Sequence, residues 1–118
     1  MSREFLRLGR AFIYAWAGVR WLIRHERNAQ IHLFLAAMAI WLAWRLDLAP
    51  VEWGLLILTI GVVFVAEAMN TALEALTDLI SPDYHPQAKV VKDVAAGGVL
   101  LAAMMAIVMA LILFLPKL

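Results

Sequence analysis

The chain has no cysteine, which excludes disulfides and thiolate metal sites and leaves the redox compartment open. It is also poor in charge: Asp, Glu, Lys and Arg make up 16% of its 118 residues, against 65% apolar residues. Soluble domains hold about 45–50% apolar residues, so the balance points to one small membrane-embedded domain over residues 1–118. A net charge of +1 gives no footing for nucleic acid. No repeat or low-complexity segment is visible. The N-terminus shows no unbroken apolar core with a small-residue cleavage site, and charges recur at Arg20, Arg24, Glu26 and Arg27, so no secretory signal peptide is expected. The common nucleotide motifs are missing as well. There is no Gly-x-x-x-x-Gly-Lys-Ser/Thr loop and no His-Arg-Asp or Asp-Phe-Gly pattern.

What is present is a polar stripe at the end of a long apolar run. Trp53 to Ala66 carries no charge, and then Glu67, Asn70, Glu74 and Asp78 follow at spacings of three, four and four. On a helix these side chains share one face with Thr71, while Ala68, Met69, Ala72, Leu73 and Leu76 remain for packing. Three stacked carboxylates repel one another, so water, basic partners or a cation must offset them. Mg2+ suits such a stripe, being held by one or two carboxylates with substrate phosphates. The plain alternative is a solvated polar face on a helix leaving the membrane.

Taken in order, residues 1–27 read as an amphipathic surface helix or two. Arg3, Arg7 and Arg10 share one face, Arg20, Arg24 and Arg27 another, and aromatics lie between. Packing as a fourth bundle member is the other reading. A first span is expected over 28–48, with Trp41 and Trp44 as interface anchors. His32, on its apolar face, reads as a packing residue. Pro50 opens a second span with its extension, 51–80, about 45 Å long at 1.5 Å per residue. A hydrocarbon core is only about 30 Å thick, so the stripe should stand at a membrane boundary. Ser81 to Pro86 breaks the helix. A third span, 86–116, follows, with Gly97 and Gly98 open to close helix contact. Six of the ten basic residues fall in the first 27 positions, and two lysines fall in 81–93. The positive-inside bias therefore puts the N-terminus and the 81–93 loop in the cytoplasm and the 45–52 turn and C-terminus outside.

Glu67, Glu74, Asp78, Lys89, Lys92 and Asp93, with Glu26 and several arginines, then meet at the cytoplasmic face. Carboxylates for a metal, cations for phosphate and a spare carboxylate as base are the parts phosphoryl transfer needs. The sequence resembles the prokaryotic diacylglycerol kinase family on Glu67-x-x-Asn70-Thr71-Ala72-x-Glu74, then Asp78, Tyr84-His85 and Lys92-Asp93, and upstream on Arg7, Tyr14, Trp16, Gly18, Arg20 and Glu26. The likeness covers nearly the whole chain. It implies an ATP- and Mg2+-dependent lipid kinase of the bacterial plasma membrane. The expected fold is all-α, with three transmembrane helices and an N-terminal surface helix, assembled as a homotrimer with sites between subunits. On these residues it implies Glu67 as catalytic base and Glu26 and Glu74 as Mg2+ ligands. Asn70, with Trp16, Arg20 and Ala96, would orient the reacting groups or the lipid. Arg7, Tyr14, Asp83, Tyr84, His85, Lys92 and Asp93 would contact nucleotide, with Glu26 and Glu74. Asp78 reads as a solvated helix-end carboxylate.

Two branches differ in the lipid alcohol. The stretches 26–32 and 83–97 and the ending Leu115-Pro116-Lys117 resemble the undecaprenol kinase branch; Ala96 stands where the diacylglycerol branch tends to carry serine. Undecaprenol is therefore the expected acceptor and diacylglycerol the alternative. A small oligomeric transporter is a further alternative, but its key carboxylate would sit deep in a span, not beside Lys92 at an edge. A plain membrane anchor would need no such stripe.

Overall fold

The computed structural model describes residues 2–118, and every regular element among them is helical. Helix α1 is Arg3–His25, α2 Arg27–Arg45, α3 Pro50–Ile80 and α4 Pro86–Phe114, and a 3-10 turn Leu115–Lys117 follows. Each boundary has a local cause. Glu26 alone is extended between α1 and α2, at φ −101° and ψ 116°. The Gln30 side chain fixes this elbow by donating to the carbonyls of Ile23 and Arg24 at 3.1 and 3.2 Å. Pro50 sits at the start of α3, where its missing N–H costs nothing. Glu52 Oε1 accepts from the Ala49 N–H at 2.8 Å, which is half a capping box, since an alanine methyl cannot supply the other half. At the far end Ser81, which precedes Pro82, leaves the helical region as a residue before proline is pushed to do.

The α2–α3 turn is a Schellman closure. Leu48 N–H bonds to Ala43 O at 3.1 Å and Asp47 N–H to Trp44 O at 3.4 Å, with Asp47 left-handed at φ 53°. The apolar contact that accompanies such closures seeds the main core: Ala43, Leu48, Leu56, Leu113 and Phe114 cluster here. Lys117 Nζ lies 3.2 Å from Glu52 Oε1, tying the C-terminal turn to the start of α3 at the same end. The 81–85 turn and the start of α2 lie at the opposite end.

Helix α3 is central. α4 packs along it most extensively, α2 less so, and α1 meets α2 and touches α3 lightly. The chain measures 49 × 49 × 21 Å. At 31 residues α3 accounts for about 46 Å of one long dimension. The other requires an element running across it, and α1, whose one buried residue is Leu22 near its end, is that element.

Among the described residues two helical stretches, Pro50–Ile80 and Pro86–Lys117, are long and apolar enough to cross a membrane. The 19-residue α2 is more polar, with Arg27, Asn28, Gln30 and His32 in its first six positions. Ile57, Leu58, Val65, Leu101 and Met105 are each 60% or more exposed, a surface that suits lipid or neighbouring chains rather than water. Within the chain the space left open by Gly97 and Gly98 is not taken. A Cβ added at either would touch nothing within 4 Å, because both glycines look onto open space.

A left-handed Asp47 carries a cost that glycine lacks. Asp47→Gly should keep or raise the thermal unfolding temperature in detergent, whereas Asp47→Val should lose roughly 1–2 kcal/mol, because a β-branched side chain fits the left-handed region worse than the short polar one of Asp. Equal stability of the two variants would contradict this account of the turn.

Candidate active site

The stripe on α3 is graded from buried to wet. Glu67 is 2% exposed, Asn70 and Glu74 are half-buried and Asp78 is exposed. Glu67 is therefore not part of a solvated face. It is the largest fully buried side chain in the described chain, and its Oε1 takes no hydrogen bond. His32 Nε2 stands 3.1 Å from that oxygen, within ion-pair range but not aligned to bond it. An unsatisfied buried polar atom costs about 1–3 kcal/mol. The fold tolerates this at Glu67, which marks the position as a functional candidate.

One turn further on, Asn70 Nδ2 donates to Glu74 Oε1 at 3.4 Å, a long bond, while Asn70 Oδ1 is buried without a partner. Two orphan oxygens thus lie within one helical turn of each other, beside a half-buried carboxylate. Among the described residues no three acidic or histidine side chains converge into a closed metal cage. An ion that needs only one or two protein carboxylates, with phosphates and water completing its shell, remains compatible with this donor set.

At the wet end Lys92 reaches across from α4 to pair with Asp78, and Lys89 pairs with Asp93 at 2.6 Å. Asp78, read from the sequence as merely solvated, has a cationic partner. Lys92 precedes the uncharged run 94–116, and its pairing with Asp78 keeps this cation at the wet end of the bundle. The turn between the helices is ordered locally. Ser81 Oγ donates to the Asp83 carbonyl at 3.0 Å, and His85 Nδ1 accepts from the Gln87 N–H at 3.1 Å, capping α4. His85 thus has a structural duty, while Asp83 and Tyr84 are exposed.

The remaining candidates are not joined to this cluster by any hydrogen bond or ion pair described. Glu26 is half-buried at the α1–α2 elbow. Arg7 and Tyr14 line one exposed face of α1 with Arg3 and Arg10. Trp16, Arg20 and Ala96 are exposed.

The sequence reading missed the partner of Glu67. It took His32 as a packing residue, yet the ring faces the buried carboxyl. A signal was present: His32 falls in register with Ala29, Ala36, Ala39 and Ala43 at alternating spacings of three and four, a stripe of small residues able to lie against a neighbouring helix. Ala29 and Ala43 are fully buried. From His32 an apolar cleft of about 350 Å3 runs between α2, α3 and α4, lined by Ala36, Ile60, Val63, Ala103 and Ala110 among others.

A buried carboxyl beside the histidine that lines an apolar cleft, with cations a few turns away toward water, suits chemistry between an apolar substrate and an anionic one. Known proteins agree. Residues 13–114 match the model of the prokaryotic diacylglycerol kinases. The chain is 38% identical over 115 residues to the undecaprenol kinase of Bacillus subtilis, covering 98% of this chain and 94% of that protein. It is 43% identical over 109 residues to a diacylglycerol kinase of Synechocystis, covering 92% of this chain and 62% of that protein. With the diacylglycerol kinase of Escherichia coli K12 it shares 30% over 104 residues, 88% and 85% of the two chains. The buried carboxyl therefore sits in a lipid kinase: the chain belongs to the prokaryotic diacylglycerol kinase family.

Proposed function

We propose that this lipid kinase transfers the γ-phosphoryl group of ATP to undecaprenol, yielding undecaprenyl phosphate, at the inner face of a bacterial plasma membrane. The observation that carries the site assignment is the buried, unbonded oxygen of Glu67, 3.1 Å from the His32 ring that lines the apolar cleft. A lipid hydroxyl brought there gives its proton to the carboxylate as its oxygen bonds to the γ-phosphorus. The bond from that phosphorus to the bridging oxygen breaks, and ADP leaves with the electron pair. Glu67 then returns the proton to water.

Glu74 and Glu26 are the carboxylates assigned to Mg2+, which when bound would neutralise charge on the triphosphate. The orphan Oδ1 of Asn70, one turn from Glu67, supports a role in orienting the reacting groups. Lys92 is assigned to phosphate. Asp93, Asp83, Tyr84 and the free Nε2 edge of His85 are assigned to the rest of the nucleotide, with Arg7 and Tyr14. Trp16, Arg20 and Ala96 are assigned to the lipid side. We assign the assembly to a homotrimer in which a neighbouring chain completes each site; the wide exposed apolar surfaces of α3 and α4 support packing against neighbouring chains. In the membrane α2, α3 and α4 form three spans, and α1 lies in the cytoplasmic interface with its arginines toward lipid headgroups. The common end shared by the 45–52 turn and the C-terminus supports α3 and α4 crossing as an antiparallel pair.

The acceptor is the finer question. Near full-length similarity to the Bacillus subtilis undecaprenol kinase, with the 26–32 and 83–97 stretches, supports undecaprenol. The higher identity to the Synechocystis diacylglycerol kinase supports diacylglycerol as the second reading. Purified protein in mixed micelles with Mg2+, labelled ATP and equal amounts of both lipids should label undecaprenol preferentially. Preferential phosphatidic acid would reverse the acceptor, and labelling of neither by folded protein would remove the assignment.

The two glutamates should separate in kinetics. Glu67→Gln should abolish turnover and leave Mg-ATP binding largely intact. Glu74→Gln should instead weaken Mg-ATP binding, because it removes a metal-facing oxygen. Lost binding in the first variant, or unchanged Mg-ATP affinity in the second, would contradict the roles given.

A further inference from the structure

We infer that His32 is a positioning residue for the transfer, holding the Glu67 carboxylate toward the hydroxyl of a lipid alcohol at the head of the α2–α3–α4 cleft. The inference rests on the reading of Glu67 as base. His32 comes from a different helix, is 21% exposed, and brings Nε2 to 3.1 Å from Glu67 Oε1. Of the residues lining the cleft, His32 and Thr59 alone carry side-chain polar atoms. The Thr59 hydroxyl is committed to the Leu55 carbonyl at 2.7 Å. His32 is thus the one uncommitted polar group along an otherwise apolar wall, and it stands against the one fully buried carboxyl.

A carboxylate has two oxygens, and a base works best when one is fixed and the other faces the proton it takes. A slight rotation of the imidazole, in the tautomer with its proton on Nε2, aligns that N–H with Oε1. Oε2 is then the oxygen left for the hydroxyl. The unbonded state of Oε1 in the free chain fits this order of events, since catalytic hydrogen bonds commonly tighten only when substrate is bound. The alanine stripe of α2 lets the ring come this near, because Ala29 and Ala36 flank His32 on the same face and add no bulk.

The test compares donor and isostere. His32→Gln keeps an N–H donor near the Nε2 position; His32→Phe keeps the ring and loses the donor. Lipid kinase assays on the full-length protein should show kcat lowered about tenfold or more in His32→Phe, the scale of effect expected when a reacting group loses its fixed orientation. KM for Mg-ATP should stay unchanged, and His32→Gln should recover most of kcat. A purely packing role predicts the reverse order, with Phe tolerated and Gln harmful. Equal activity of both variants and wild type, or equal loss in both, would overturn the inference. Should the Phe variant not fold, His32→Met, flexible and without an N–H, takes its place. Glu67→Gln assayed in parallel separates the two levels. If it is inactive while His32→Phe is fully active, the inference falls and the base assignment stands. Normal turnover by Glu67→Gln would remove both.

Discussion

The buried Glu67 carboxyl is the constraint on which the rest of this chain depends. Its oxygen is withdrawn from water and left without a hydrogen bond, in a bundle otherwise held by small apolar contacts. Such a group is costly to bury, and its surroundings are arranged to tolerate it. α3 carries it past the end of a long uncharged run. α2 brings His32 and the small side chains of its alanine stripe against the same face. The well-packed cluster of Leu48, Leu56, Leu113 and Phe114 sits at the other end, joined to the Lys117–Glu52 contact. Stability is concentrated at one end of the bundle and the exposed chemistry at the other.

Along α3 the environment changes in three helical turns from a buried carboxyl, through half-buried Asn70 and Glu74, to exposed Asp78 facing Lys92. A lipid alcohol is available only from the apolar side and ATP only from water. A single rigid helix that passes from one medium to the other is a direct way to present both sets of ligands at fixed spacing. In the proposed site Lys92 and the carboxylates of the stripe take the place of the glycine-rich phosphate loop that the sequence lacks. The wide apolar surfaces of α3 and α4 then remain for lipid and neighbouring chains.

Much of this was legible in the sequence because it is local. Pro50, Ser81-Pro82 and Pro86 mark helix ends by steric rules that act within one or two residues, and the spacings of Glu67, Asn70, Glu74 and Asp78 define a face by helix geometry alone. The elbow at Glu26 was less legible. It depends on Gln30 reaching back seven residues to Ile23, which no hydrophobic period reports. The His32–Glu67 and Lys92–Asp78 juxtapositions were not readable as pairs, since each joins two helices whose rotation about their axes is settled by packing. His32 looked like a packing residue because its apolar neighbours hide a stripe of alanines. Gly97 and Gly98 show the limit of reading packing from one chain: small residues permit a close contact but do not create one, and within this chain no partner takes the space.

The central claim is that Glu67 is where the lipid hydroxyl meets the nucleotide. The most direct measurement is a structure of the assembled protein with Mg2+, a non-hydrolysable ATP analogue and a lipid alcohol. The account predicts the hydroxyl oxygen within about 3 Å of a Glu67 carboxylate oxygen, with the γ-phosphoryl group on its other side. A hydroxyl bound away from Glu67, with that carboxyl still buried and facing no substrate, would contradict it.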